Sequence, residues 1–172
     1  MSKNPTIHIS NTVEGSHEVN LYLGLGTNLL DKKKNIELAL ELISQEIGKI
    51  VKKSSIYKSK AFGFESENEF FNLAILVQTD LDTYEVLKRI ESIEKTLGRG
   101  QKSVKKAYQD RIIDIDILYY NDIVLDDEKL KIPHPEIKNR VFVLEPMFEI
   151  AKKLLDPREK KTIEELLKAL SD

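Results

Sequence analysis

Asp114 and Asp116 stand inside the stretch DRIIDIDILYY, residues 110–120, where isoleucine, leucine and tyrosine otherwise spell a buried strand. Side chains alternate faces along a strand, so the two carboxylates share one face and Ile113, Ile115 and Ile117 share the other. Positions i and i+2 lie roughly 6.5 to 7 Å apart, within reach of two metal ions spaced about 3.5 to 4 Å. Magnesium suits all-oxygen ligands better than any softer metal. An isolated D-x-D is more often a half-exposed strand with solvated aspartates. Here aspartate, a poor strand former, occurs twice in mid-strand, and the preceding segment carries Arg99, Lys102, Lys105, Lys106 and Arg111. Carboxylates for metals beside a cationic cluster are what a polyphosphate requires.

Other residues carry weaker signals. His134, between prolines in PHP, has a fixed backbone and can donate to a phosphate. Asn72, between Phe71 and Leu73, needs hydrogen-bond partners that a polar heterocycle would supply, although most such asparagines bond nearby backbone. Phe70 and Phe142 could sandwich a flat ring, with core packing as the commoner fate. Gly24 and Gly26 lack both the Lys-Ser/Thr of a P-loop and the third glycine of a dinucleotide fingerprint, and read as a backbone requirement at a strand end.

These residues need elements to position them. NLYLGLG predicts a strand starting near Asn20, and Asp31 opens a helix with Ile36, Ala39, Leu40, Ile43 and Ile47 at helical spacing, stopped by Gly48. IVKKSSIYKS predicts one strand and FFNLAILVQT a stronger one. Asp82 with Glu85 caps a helix carrying Val86, Ile90, Ile93 and Leu97 and ending at Gly98. RIIDIDILYY is the next strand, turned at Asn121-Asp122 into a hairpin with IVL. VFVLEPMFEIAKKLL is mixed in character, and Thr162 with Glu165 caps a final short helix. The order strand, helix, strand, strand, helix, strand predicts an α+β fold, an antiparallel-rich sheet with helices on one face.

Composition bounds the possibilities. The chain has 172 residues, 41% hydrophobic and 33% charged, which suits one core and one domain. A formal net charge of -2 gives no general attraction to nucleic acid or an anionic membrane. Cysteine is absent, which excludes disulfides, thiolate metal sites and thiol catalysis and fits the cytoplasm. Residues 1–19 are polar and turn-rich and read as a tail or expression remnant, leaving residues 20–172 as the domain.

From LYLGLGTNL to about Pro157 the chain resembles the 6-hydroxymethyl-7,8-dihydropterin pyrophosphokinases of folate biosynthesis. RIIDIDIL and IPHPEIKNRVFVLEPMFEIA carry most of the likeness, with SSIYKS, FFNLAI and IEKTLGR in the same order. The resemblance implies a ferredoxin-like fold in a three-layer α/β/α arrangement. It implies that pyrophosphate moves from the co-substrate ATP to the pterin's hydroxymethyl group: the oxygen attacks the β-phosphorus in line and AMP leaves, without a covalent enzyme intermediate. Asp114 and Asp116 would hold two magnesium ions, and Arg99 and Arg111 would contact the transferring group. Glu94, Lys102, Ile117, His134 and Arg140 would line the ATP side; Ser59, Phe62, Phe70, Asn72 and Phe142 would form the pterin pocket. The implied partners are these small molecules, with no nucleic acid, membrane or obligate protein. Several positions depart from the family's pattern: Gln101 replaces a second arginine, Gln109-Asp110 a Gly-Pro, Ser59-Lys60 a frequent Thr-Pro, Phe70 a frequent Tyr, and Leu30 a frequent Gly.

Two other classes share parts of this signature. The same strand order occurs in RNA-recognition modules, and KAFGFESE partly imitates their aromatic motif, but Ala61, Glu65 and Glu67 break the imitation. Another magnesium-dependent nucleotidyl or phosphoryl transferase would keep the aspartates and lose the pterin contacts.

Overall fold

Leu21, Leu23 and Leu25 alternate along β1 (Val19–Thr27) and are buried on one side of it, which fixes this strand at the centre of the sheet. The structure, a computed structural model, describes residues 18–60, 68–98 and 112–172. Most of the expected tail, together with Phe62, Arg99, Lys102 and Arg111, therefore lies outside the described residues.

Both neighbours of β1 run antiparallel to it: β4 (Phe70–Thr79) on one side and β5 (Asp114–Tyr120) on the other. The sheet order is β2 (Lys49–Lys53), β4, β1, β5, and β3 (Tyr57–Ser59) also pairs with β4. IVKKSSIYKS thus forms two short strands rather than one, broken around Ser54, whose amide and hydroxyl both bond to the Ala74 backbone.

α1 (Lys32–Glu46) and α2 (Thr83–Thr96) cover the face that carries the β1 leucines, packing Ile36, Ala39, Ile43, Val86, Ile90 and Ile93 against Leu73, Ile75, Ile115 and Ile117. Asp82 and Glu85 form the expected capping box, and Gly98 ends the helix at φ 95, a conformation suited to glycine. α3 (Val141–Ala151) and α4 (Ile163–Ser171) cover the opposite face, packing Leu144, Met147, Ile163 and Leu166 against Tyr22, Ala74, Leu76, Leu118 and Tyr119. The helices lie on both faces, not one, which gives the three-layer ferredoxin-like arrangement. α3 was hard to read because Pro146, inside it, has no N–H to donate and breaks the helical pattern.

The expected hairpin after β5 forms differently. Asn121, at φ 47, turns the chain, but β6 (Leu125–Asp126) pairs with β7 (Lys131–Ile132) instead of with β5. Within β5 the register against β1 shifts beside Leu23, leaving Leu118 as an extra residue. Leu118 and Tyr119 consequently both face α3 and α4, while Ile115, Ile117 and Tyr120 face α1 and α2.

Candidate active site

The register of the three central strands aligns the chemistry. Asn72 of β4 is opposite Gly26 of β1, and Gly26 is opposite Asp114 of β5. One step along, Ala74, Gly24 and Asp116 form the next row. All six belong to the sheet face that also carries Tyr22 and Leu76, the face of α3 and α4. With neighbouring strands about 4.8 Å apart, Asn72 and Asp114 flank a gap of about 10 Å whose floor is peptide backbone. A Cβ on Gly26 would lie 3.4 Å from Asn72 Oδ1, and one on Gly24 3.3 Å from Leu118. Neither glycine has a positive φ. Gly26 is one residue from the end of β1 and Gly24 three, and the value of both is flatness against the neighbouring strands, which emerges only once those strands are known.

Asn72 is held from the neighbouring strand on the side away from β1. Its Nδ2 donates to the Tyr57 carbonyl at 3.1 Å and to Ser59 Oγ at 2.8 Å, both on β3. That places its carbonyl oxygen beside Gly26. Phe70 is opposite Ser59, one alternation further toward the strand end. Of the expected pterin-side residues, Ser59, Phe70 and Asn72 adjoin one another at the β3–β4 pairing, Phe142 stands in the first turn of α3, and Phe62 lies outside the described residues.

β5 is anchored where the aspartates project. The buried Glu94 of α2 accepts from the Ile115 amide at 2.9 Å, between the two aspartates in sequence. Thr27, fully buried, donates its hydroxyl to the Ile112 carbonyl, and Asn35 donates to Thr27 Oγ1 at 3.2 Å and to the Leu29 carbonyl at 2.9 Å. Glu94, expected on the ATP side, thus makes a bond to the β5 backbone. Ile117 turns its side chain into the core under α1 and α2, so only its backbone can meet a ligand. Thr27 and Asn35 were not foreseen, since neither stands near the acidic motif in sequence.

His134 is tied to β5 further along the strand: its amide donates to the Leu118 carbonyl at 3.2 Å. Nδ1 accepts from the Glu136 amide at 3.2 Å, so the neutral ring carries its proton on Nε2 as a donor. Burial pushes its pKa down to about 4, the Arg140 charge acts in the same direction, and Asp114 and Glu136 act against both. The Arg140 guanidinium lies 5.7 Å from the Phe142 ring centroid. His134, Arg140 and Asp114 thus share one electrostatic neighbourhood.

Among the described residues no group of three or more His, Cys, Asp and Glu side chains could enclose a metal. Two half-buried carboxylates on an open floor suit magnesium, which keeps several waters and is usually held by one or two carboxylates plus substrate phosphates. The donor set fits the ion.

The model of the 7,8-dihydro-6-hydroxymethylpterin-pyrophosphokinase family matches residues 22–152. The 2-amino-4-hydroxy-6-hydroxymethyldihydropteridine pyrophosphokinase of Aquifex aeolicus is 38% identical over 145 residues, 84% of this chain and 88% of its own length. That of Haemophilus influenzae is 34% identical over 155 residues, 90% of this chain and 94% of its own. A crystal structure of wild-type Plasmodium falciparum HPPK-DHPS with pteroate superposes with a TM-score of 0.72 at 18% identity, over 88% of this chain and 44% of that one. The chain spans less than half of that two-part protein, and at this identity the likeness concerns the fold. The family match extends from β1 through α3, both relatives are similar over most of the chain, and the chain belongs to the 7,8-dihydro-6-hydroxymethylpterin-pyrophosphokinase family.

Proposed function

We propose that the chain transfers pyrophosphate from ATP to the hydroxymethyl group of 6-hydroxymethyl-7,8-dihydropterin, releasing AMP, with the Asn72, Gly26, Asp114 row as its working surface. Pyrophosphoryl transfer in folate biosynthesis is the activity that family membership brings, with ATP as co-substrate. The row is the observation that carries the assignment of roles. A flat heterocycle on the Gly26 floor meets the Asn72 amide at one end and extends its substituent toward Asp114 at the other. Phe70 and Phe142 are the aromatic residues for its faces, and Ser59 fixes the Asn72 amide.

Asp114 and Asp116 would hold two magnesium ions, whose contribution is to neutralise phosphate charge as it shifts toward the leaving AMP. His134 offers Nε2–H and Arg140 its guanidinium to the phosphates. Glu94, through the Ile115 amide, and Thr27, through the Ile112 carbonyl, keep β5 from drifting, so the carboxylates are positioned before substrate arrives. Arg99, Lys102 and Arg111 would serve the phosphates and Phe62 the pterin. The cysteine-free composition fits the cytoplasm, and residues 20–172 would act as one domain.

An RNA-binding role would need an open sheet face for bases to stack on. Helices lie on both faces here. Phosphorus NMR of a reaction with ATP, magnesium and the pterin decides the matter: AMP and a pterin pyrophosphate are expected, and ADP with a pterin monophosphate would overturn the assignment.

A further inference from the structure

Glu149, two turns into α3, reaches across to the short β2–β3 segment. Its carboxylate accepts from the Ser55 amide at 3.1 and 3.0 Å through both oxygens, from Ser55 Oγ at 2.9 Å and from the Tyr57 hydroxyl at 3.0 Å. These bonds, the Ser55 amide foremost, hold its pKa below the usual carboxylate range. Tyr57 then points two ways. Its hydroxyl goes to Glu149, and its carbonyl accepts the Asn72 amide, which also donates to Ser59 Oγ two residues on.

β3 is three residues long and pairs with β4 alone. So short a strand is weakly held by its own ladder. Pairing with β4 sets its register, whereas its height above the sheet depends on what grips it from the third layer. Glu149 supplies that grip. Lys52 Nζ, donating to the Ile150 carbonyl at 3.3 Å, reinforces it from β2.

We infer that Glu149 is a positioning residue for pterin recognition: by holding Ser55 and Tyr57 it sets the Tyr57 carbonyl and the Ser59 hydroxyl that orient the Asn72 amide. It also couples the two walls of the pocket, because the helix that carries Glu149 begins with Phe142 in its first turn. The inference rests on the reading of Asn72 as the pterin contact. Glu149 itself touches no substrate, and the ATP side, on β5 and the 134–140 connection, is fixed by other bonds.

Steady-state kinetics on the full chain separates this role from a purely structural one. Glu149→Ala should raise KM for the pterin roughly fivefold to tenfold, with KM for ATP within about twofold of wild type and kcat at saturation largely kept. Tyr57→Phe, which removes one of the bonds and no volume from the core, should shift pterin KM in the same direction by a smaller factor. It decides the question if Glu149→Ala does not fold. An unchanged pterin KM in both variants, or an equal rise for both substrates, would overturn the inference while leaving the wild-type activity intact. Absence of pterin pyrophosphate from the wild-type reaction would instead overturn the functional reading beneath it.

Discussion

Asp114 and Asp116 owe their meaning to what lies beside them. Each has a glycine opposite, so β1 projects no side chain directly across from either carboxylate. Asp114→Ala or Asp116→Ala removes charge from the site while emptying no core volume. Turnover should fall by at least about 10²–10³-fold, with a far smaller change in the melting temperature of the metal-free protein; near-normal turnover in both variants would end the two-metal reading. His134 makes a second test. Its ordinary value of 6.5 is depressed to about 4 in the fold, so between these values the unfolded chain binds the extra proton. The stability tied to the neutral ring is whole above about pH 6.5 and drains away as pH falls toward 4. An imidazole NMR titration should find a midpoint near 4, and one at or above 6.5 would remove His134 as a neutral Nε2–H donor. The acidic pair, Asn72 and His134 were legible because each is a polar residue where its local pattern wants an apolar or indifferent one. Gly26 and Thr27 were not, because their roles exist only across strand pairs distant in sequence.

Elements whose ends carry their own signals were legible almost to the residue. β4 spans the stretch FFNLAILVQT, and α2 begins after Asp82 with its cap closed by Glu85. α4 begins in the same manner: Glu165 N donates to Thr162 Oγ1 at 3.2 Å and Glu165 Oε2 accepts from Thr162 N at 2.7 Å. Thr162→Ala should cost about 1 kcal/mol in denaturant unfolding, and no loss would show that tertiary contacts alone hold α4. The placement of α3 and the division of β2 from β3 were not legible. Pro146 obscured the first, and the second follows from the grip of Glu149 and the Ser54 bonds to β4, neither of which has a periodic signature. Leu30 shows a local preference overruled. It adopts φ 57 between β1 and α1 with its side chain 81% exposed. The left-handed conformation costs a residue with a Cβ about 1–2 kcal/mol, and a glycine's extra unfolded-state freedom returns about 0.5–1 of that. Leu30→Gly should therefore be neutral to stabilising by about 1 kcal/mol, and a clear destabilisation would mean that the leucine side chain makes a contact worth more than the strain.

At the scale of the whole molecule, one sheet separates two cores, and the bulge at Leu118 lets β5 serve both. Ahead of it the isoleucines enter the α1/α2 core and leave the aspartates on the opposite face; beyond it Tyr119 enters the α3/α4 core, where its hydroxyl bonds to the buried Asp156 at 2.8 Å. The two ligands would bind at opposite ends of one row, so their stabilising effects should separate. A non-hydrolysable ATP analogue with magnesium, or the pterin, at about 100 times its Kd should each raise stability by about 2.7 kcal/mol. In Asp114→Ala the nucleotide's shift in melting temperature should vanish and the pterin's persist, with the reverse in Asn72→Ala. Loss of both shifts in either variant would mean that the row does not divide the ligands in this way.

The bare floor between Asn72 and Asp114 has a bearing on resistance. A pocket lined by side chains can escape an inhibitor by trimming one, losing a contact that the inhibitor needs more than the substrate does. Peptide backbone offers nothing to trim. At Gly24 and Gly26 every substitution adds bulk, beginning with a methyl group 3.3 to 3.4 Å from Leu118 or Asn72, and bulk on that surface obstructs any flat molecule lying there. An inhibitor that draws its affinity from this surface would face mutants able to exclude it only by hindering their own substrate.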